Sequence, residues 1–230
     1  KEFVVKTIVT TEVIKEIAEK NNIKMYDCYT GFKWIAKVIR DNEGIAKYIG
    51  GGEESFGFLA EDFCRDKDSV SACSLAAEVA AWAKDNGKSL YQMLMDIYVE
   101  YGFYKEGLVS VVRKGQEGQK EIQQLMVNYR QNPPRMICGS LVVKVRDYQS
   151  REALDMTTAK VTPLAIDRSN VLQFLTADKT IISVRPSGTE PKIKYYFGVC
   201  EPLASLDDYD AIAEKLDAKI EQMKQELNLV

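Results

Sequence analysis

The chain opens on a β-branched run, Phe3 to Val9, whose composition predicts a strand. Val13, Ile14, Ile17 and Ala18 then recur at helical spacing, which predicts a helix capped by Thr10 or Thr11 and ended by Asn21-Asn22. A second strand is expected over Ile23–Tyr29. A second helix opens at Gly31, with Phe32, Ile35, Ala36, Val38 and Ile39 as its apolar positions. Tyr48-Ile49 reads as a short strand running directly into Gly50-Gly51-Gly52. Strand, helix, strand, helix, strand is the pattern of an α/β layered domain with a mixed, mainly parallel sheet. Asp68–Asn86 is a further helix, with Val70, Cys73, Ala76, Ala77, Ala80 and Trp82 expected on its buried face and Gly87 just past its end. Ser89 caps the next one, which turns Leu90, Leu94 and Ile97 inward and closes at Tyr101-Gly102.

After Gly102 the pattern changes. Leu108–Val112 reads as a strand and Glu117–Tyr129 as a helix, stopped by Asn132-Pro133-Pro134. Four strand-like runs follow: Leu141–Val145, Val171–Thr176, Thr180–Val184 and Ile193–Val199, with a tight turn at Asp178-Lys179. Ser150–Ser169 carries little pattern and is expected to be a long loop. A closing helix over Leu206–Leu227 presents Ile212, Leu216, Ile220, Met223 and Leu227 on one side. This half reads as an α+β domain, an antiparallel sheet flanked by helices. The change of pattern puts the boundary near Phe103–Gly107, giving domains of 1–104 and 105–230.

Composition narrows the chemistry. The 230 residues include 31 Lys+Arg and 34 Asp+Glu, a net charge of −3, and no histidine. The acidic balance argues against non-specific nucleic-acid binding. Without histidine there is no Ser-His-Asp or Cys-His catalysis, no His-ligated metal and no histidine pH switch. Five cysteines, widely spaced and without a C-x-x-C pair, suit a reduced cytoplasmic chain better than a disulfide scaffold or zinc site. No apolar run approaches the roughly 20 residues of a membrane span, and no signal peptide is evident. The chain lacks an initiator Met and begins inside what looks like a core strand, so it reads as a piece of something longer, with processing of a short leader as the alternative.

Two segments carry the candidate chemistry. Gly50-Gly51-Gly52-Glu53-Glu54-Ser55-Phe56-Gly57 follows a strand end, where α/β sheets commonly bind ligands. Its glycines allow close backbone approach, and a carboxylate beside a hydroxyl can pair with vicinal sugar hydroxyls. Glycine-rich turns are common, and on composition alone an acidic surface turn is the better reading. Arg185-Pro186-Ser187-Gly188-Thr189-Glu190-Pro191-Lys192 joins two strands. Arginine offers a planar fork to phosphate, Ser187 and Thr189 add hydroxyl donors, and Gly188 lets backbone N–H groups converge on an anion. Pro186 and Pro191 stiffen the loop, while Lys192 and Lys194 add positive potential. An anion site is a better reading here than an ordinary hairpin loop. Thr30-Gly31-Phe32-Lys33 lies at a strand-to-helix junction, where Lys33 could meet a phosphate, although a snorkelling surface lysine is the better reading from the residues alone. Glu61 and Asp62 are not taken as metal ligands, and no metal site is expected in the chain.

In order and spacing, Gly52-Glu53-Glu54-Ser55, Arg185–Lys192 and Thr30-Gly31-Phe32-Lys33 resemble the sugar-reading loop, the phosphate loop and the T-G-[FW]-K segment of the α-D-phosphohexomutases. The likeness covers essentially the whole chain, as most of domain three and all of domain four of a four-domain enzyme. It implies an enzyme that moves phosphate between C1 and C6 of a hexose through a bisphosphate, using a phosphoserine and a Mg²⁺. By resemblance, Glu53 and Ser55 read the sugar 3- and 4-hydroxyls. Arg185, Ser187, Gly188, Thr189 and Lys192 hold the non-reacting phosphate. Lys33 assists the transferring oxygen, with Lys6 a weaker candidate. The phosphoserine loop and the D-G-D-x-D-R metal loop are not found in this sequence, so the isolated chain is expected to be inactive, with its partners the phosphosugar and the N-terminal domains of the parent. The G-E-E-S-F-G version resembles the phosphoglucomutase and phosphopentomutase branches, which makes glucose phosphate the first choice of substrate, with glucose 1,6-bisphosphate as activator. Mannose or pentose phosphate is the alternative, and a non-catalytic phosphosugar-binding module is the alternative of another class.

Overall fold

The computed structural model describes residues 1–188 and 190–229. It divides into two compact units, the first formed by Lys1–Tyr104 with Pro202–Tyr209, the second by the rest.

In the first unit, strands β1 (Glu2–Thr7), β2 (Lys24–Cys28), β3 (Lys47–Glu53) and β4 (Gly57–Ala60) form one sheet in the order β2-β1-β3-β4. β1 runs parallel to both β2 and β3, and β4 turns back antiparallel on β3. The carboxyl ends of the three parallel strands therefore share one edge of the sheet. Helix α1 (Val13–Lys20) joins β1 to β2, and α2 (Phe32–Asp41) joins β2 to β3. Phe3 and Val5 alternate onto the α2 face, where they meet Phe32, Ile35 and Ile39 at helical spacing, together with Tyr48, Leu59 and Cys28. Each such large apolar side chain contributes about 1.5–3 kcal/mol on burial.

Helices α3 (Ser69–Asp85) and α4 (Leu90–Tyr101) complete the unit. Asp68 caps α3 by accepting from the Ser71 N–H, and Gly87 follows its end at φ +71°. Ser89 and Gln92 form a reciprocal capping box on α4. Past α4, the Phe103 ring stacks between those of Tyr98 and Tyr209, at centroid distances of 4.6 and 4.9 Å.

Several local expectations are corrected. Helix α1 starts at Val13 with Glu12 at its N-cap, whose own side chain makes no cap; Thr11 Oγ1 accepts from the Val13 N–H at 3.4 Å, while the Thr10 hydroxyl lies beside Thr7 and Glu54. The glycines do not follow the strand but lie within β3. A Cβ on Gly51 would sit 2.0 Å from the Val5 carbonyl oxygen, so glycine is what lets β3 lie against β1. The stripe expected to be buried on α3 is largely exposed: Val70 is 74% and Trp82 58% accessible, and only Ala83 is buried. Helix α4 likewise buries Met95 and leaves Leu90 and Leu94 exposed. Among the described residues, nothing covers that outer face.

The second unit is built on β5 (Phe103–Val112), β6 (Met136–Ile137), β7 (Ser140–Asp147), β8 (Glu152–Asp155), β9 (Val161–Pro163), β10 (Leu172–Thr176), β11 (Ile181–Pro186) and β12 (Lys192–Glu201). They form one sheet in the order β5-β12-β11-β10-β7-β8-β9, with β6 paired to β7. The pairs from β12 through β9 are antiparallel. Helix α5 (Gly115–Gln131) buries Ile122 and Met126, and α6 (Tyr209–Glu226) buries Leu216, Ile220 and Met223. Buried Gln173 accepts from Tyr148 and Arg146 and donates to Ser183 at 2.9 Å, a satisfied polar network that pins the β7-β10-β11 register. The stretch expected as a long loop, Ser150–Ser169, instead contains β8 and the fully exposed β9. An exposed edge strand needs no apolar alternation, which is why the sequence pattern is silent there.

Gly51→Ala is expected to destabilise the first unit by at least about 3 kcal/mol, because the new methyl meets backbone rather than a movable side chain. Urea unfolding followed by tryptophan fluorescence checks this.

Candidate functional site

The shared carboxyl edge of β1, β2 and β3 gathers the first set of candidate residues. Glu53 ends β3 half-buried, and its Oε2 accepts from the Gly31 N–H at 2.7 Å. Gly31 sits at φ +114° as the N-cap of α2 and has no side chain to cap with. A carboxylate from a distant strand thus takes the place of a local cap at the positive end of the helix. One Glu53 oxygen is used in this way, and Oε1 is left with acceptor capacity for a ligand hydroxyl. Ser55 lies exposed in the hairpin between β3 and β4. Beside it Phe56 projects fully into solvent, its backbone in the left-handed region at φ +63°. A cleft of about 660 Å³ runs beside the loop, lined by Val4, Thr10, Ile14, Ile49, Gly50–Glu54 and Phe56–Phe58.

Behind this loop Lys6 is completely buried. Its ammonium pairs with Glu12 at 2.7 Å and Asp27 at 3.0 Å, and bonds the carbonyls of Thr7 and Thr10 at 3.3 Å each. Burial alone would lower the pKa of this group, but the Asp27 and Glu12 carboxylates outweigh it and hold Lys6 above the ordinary lysine value. The neighbouring Cys28 thiol is pushed up to about 12 by burial and by the carboxylates of Asp27, Glu53 and Glu54. Cys28 is therefore no thiolate nucleophile. Lys33, in the first turn of α2, is exposed, with its Nζ 5.3 Å from the centroid of the Trp34 ring. The structure thus places Glu53, Ser55 and Lys33 around one strand edge, with Lys6 locked beneath it.

The second set lies on the β11–β12 loop. Ser187 N–H donates to the Lys192 carbonyl at 2.7 Å, and Arg113 N–H donates to the Pro191 carbonyl at 2.8 Å, so the base of the loop is tied to its own unit. Glu190 N–H donates to Ser187 Oγ at 3.3 Å. Lys192 forms an ion pair with Glu190 at 2.7 Å, and this bond holds the Glu190 carboxyl below its ordinary value. Such a partly exposed pair is worth at most about 1 kcal/mol and can be exchanged for an anionic ligand. Arg185 is half-buried and, among the described residues, no carboxylate pairs with it. Gly188 is exposed. Thr189 lies outside the described residues. Among the described residues, no three His, Cys, Asp or Glu side chains come together to hold a metal ion, and no helix is long and apolar enough to cross a membrane.

Sequence reasoning passed over the residues that hold the first loop in place: Thr7, Thr10, Glu12, Asp27 and the anchoring part of Glu54. Lys6 and Asp27 sit side by side in the β1–β2 register, a relation invisible until the register is known.

Residues 1–101 match the family model described as phosphoglucomutase/phosphomannomutase, alpha/beta/alpha domain III. Residues 140–216 match the one described as phosphoglucomutase/phosphomannomutase, C-terminal domain. A phosphoglucomutase of Staphylococcus aureus strain N315 is 38% identical over 218 residues, which are 95% of this chain and 38% of that protein. The strain MRSA252 protein of the same name is 37% identical over the same share of each. Among solved structures, the open form of pp63/parafusin, a phosphoglucomutase from Paramecium, superposes with a TM-score of 0.66 at 19% identity. That match covers 97% of this chain and 38% of the other. The chain thus spans well under half the length of the curated relatives it matches.

Lys6→Met is expected to cost about 3–5 kcal/mol near neutral pH, since it leaves Asp27 and Glu12 without their cation. The pKa of Lys6 is higher folded than unfolded, so its contribution is complete below the ordinary value of 10.5 and is lost as pH rises through the raised folded value. Urea denaturation of both proteins should show the gap between them narrowing in that alkaline range.

Proposed function

The chain belongs to the phosphoglucomutase/phosphomannomutase family, and on that premise we propose that it is the C-terminal, substrate-recognising part of a phosphoglucomutase. The parent would interconvert glucose 1-phosphate and glucose 6-phosphate through a bisphosphate intermediate. The observation that carries this reading is Glu53, held at the open strand edge by the Gly31 N–H with one oxygen to spare, beside the exposed Ser55. The two side chains form a hydroxyl reader of fixed direction. It can serve a sugar presented either way round, because vicinal equatorial hydroxyls offer similar pairs of donors.

Arg185, Ser187, Gly188, Thr189 and Lys192 would bind the phosphate that is not reacting. Arginine supplies a bidentate fork, and Lys192 exchanges its Glu190 partner for the phosphate. Binding energy realised at this remote group positions the reactive end. Lys33 would lie near the transferring oxygen and balance developing charge, a role open to it as an exposed side chain in the first turn of α2. Phosphoryl transfer depends mainly on positioning and charge stabilisation, so a chain without histidine suits it.

The phosphoserine and the Mg²⁺ belong, in this reading, to the remainder of a cytoplasmic parent. The residues described here do not fit a metal, and no step is assigned to one on this chain. Glucose 1,6-bisphosphate would be the intermediate and activator.

A coupled dehydrogenase assay with glucose 1-phosphate, Mg²⁺ and glucose 1,6-bisphosphate is expected to detect no conversion by this chain alone. Conversion would overturn the division of labour. Arg185→Ala is expected to weaken phosphate binding at least about tenfold, read by calorimetry. Unchanged affinity would overturn the clamp.

A further inference from the structure

Glu53 has its own anchor, and so does the residue after it. Adjacent residues at a strand end point to opposite sides. Where Glu53 reaches the N-cap of α2, Glu54 reaches the turn that follows β1. Its Oε2 lies 3.0 Å from Thr7 Oγ1 and 3.3 Å from Thr10 Oγ1, and the two hydroxyls are 2.8 Å apart. Two hydroxyl protons cannot fill three contacts at once. The shortest pair of contacts defines a relay in which Thr10 donates to Thr7 and Thr7 donates to Glu54. The turn bearing both threonines is itself fixed, because the buried Lys6 ammonium bonds the carbonyls of Thr7 and Thr10, and Thr10 N–H donates to the Thr7 carbonyl at 3.0 Å.

We propose that Thr7, relayed from Thr10 and acting through Glu54, is a positioning residue that sets the sugar loop for hydroxyl recognition. This deepens the functional reading above and rests on it. Glu54 is not itself a reader in this account. Its carboxylate fastens the hairpin to the turn after β1, so that the two glutamates clip the loop to the segments that follow β1 and β2. Ser55, between that anchor and the exposed Phe56, has its direction set by the Glu54 bond. Thr7 is fully buried, so its hydroxyl has no water to turn to in place of the carboxylate.

The test uses the whole 230-residue chain and two probes followed by ¹⁵N-resolved NMR. Glucose 1-phosphate is read at the Ser55 and Gly57 amides, and orthophosphate at the Gly188 and Lys192 amides. Thr7→Val is expected to weaken glucose 1-phosphate about tenfold and to leave orthophosphate unchanged, while Thr7→Ser, which restores the hydroxyl, returns affinity to within about twofold of the original. Thr10→Val, at a half-exposed position, is expected to have a smaller effect in the same direction. Thr7→Val binding glucose 1-phosphate as tightly as the unsubstituted chain would overturn the proposal. So would an equal loss of both ligands, which marks general destabilisation. If the unsubstituted chain shows no response to glucose 1-phosphate, the functional reading fails. Amide exchange in the ligand-free hairpin then decides the clamp separately. Exchange at residues 54–57 about tenfold faster in Thr7→Val supports it, and unchanged exchange rejects it.

Discussion

A single buried ammonium organises the carboxyl edge of the first sheet. Lys6 stands where the β1 backbone would otherwise present two strand ends and a turn with no common partner. By meeting Asp27 from β2, Glu12 ahead of α1 and two carbonyls of the turn, it fixes three chain segments relative to one another. A lysine in that setting is tolerable because every proton of the ammonium finds an acceptor and two carboxylates compensate the charge. Its value is geometric, since the loops at this edge carry the proposed chemistry and need a rigid base.

On that base the hairpin is held by opposed anchors. Glu53 serves α2 as a cap and Glu54 serves the β1 turn as an acceptor. The glycines before them let β3 come close enough for both to reach. The second unit solves a related problem differently. Its loop is stiffened by two prolines and tied at the base by backbone bonds, while Glu190 and Lys192 pair near the surface and, among the described residues, no carboxylate pairs with Arg185. One loop is set by buried electrostatics and the other by backbone restraint. The difference matches what each is proposed to recognise, neutral hydroxyls that need direction and an anion that needs charge.

Much of this was legible from residues alone where a feature is local. Asp68, Ser89 and Gly87 mark helix ends because their caps depend on neighbours in sequence. The apolar periodicity of α2 and α6 leads directly to their buried faces. What stayed hidden depends on pairing. The glycine run looks like a turn until β1 is seen lying against it. Thr10 looks like a helix cap until its hydroxyl is seen against that of Thr7, which reaches Glu54 more than forty residues away. The apolar residues of α3 look like a core stripe because periodicity reports amphipathicity, not whether a covering layer is present. At the candidate sites, residue type pointed to the chemistry, whereas the anchors could be found only in three dimensions.

The stacked rings of Tyr98, Phe103 and Tyr209 have a consequence for how the protein is made. The first unit draws its final residues, Pro202–Tyr209, from a part of the chain that leaves the ribosome only after all the strands of the second unit, though before most of its closing helix. Domains generally fold in order as they emerge. Here the second unit is largely synthesised before the first is complete, and the first closes only when Tyr209 emerges. Until Tyr209 appears, one face of Phe103 waits uncovered, and the two units must mature as interleaved stretches of one thread.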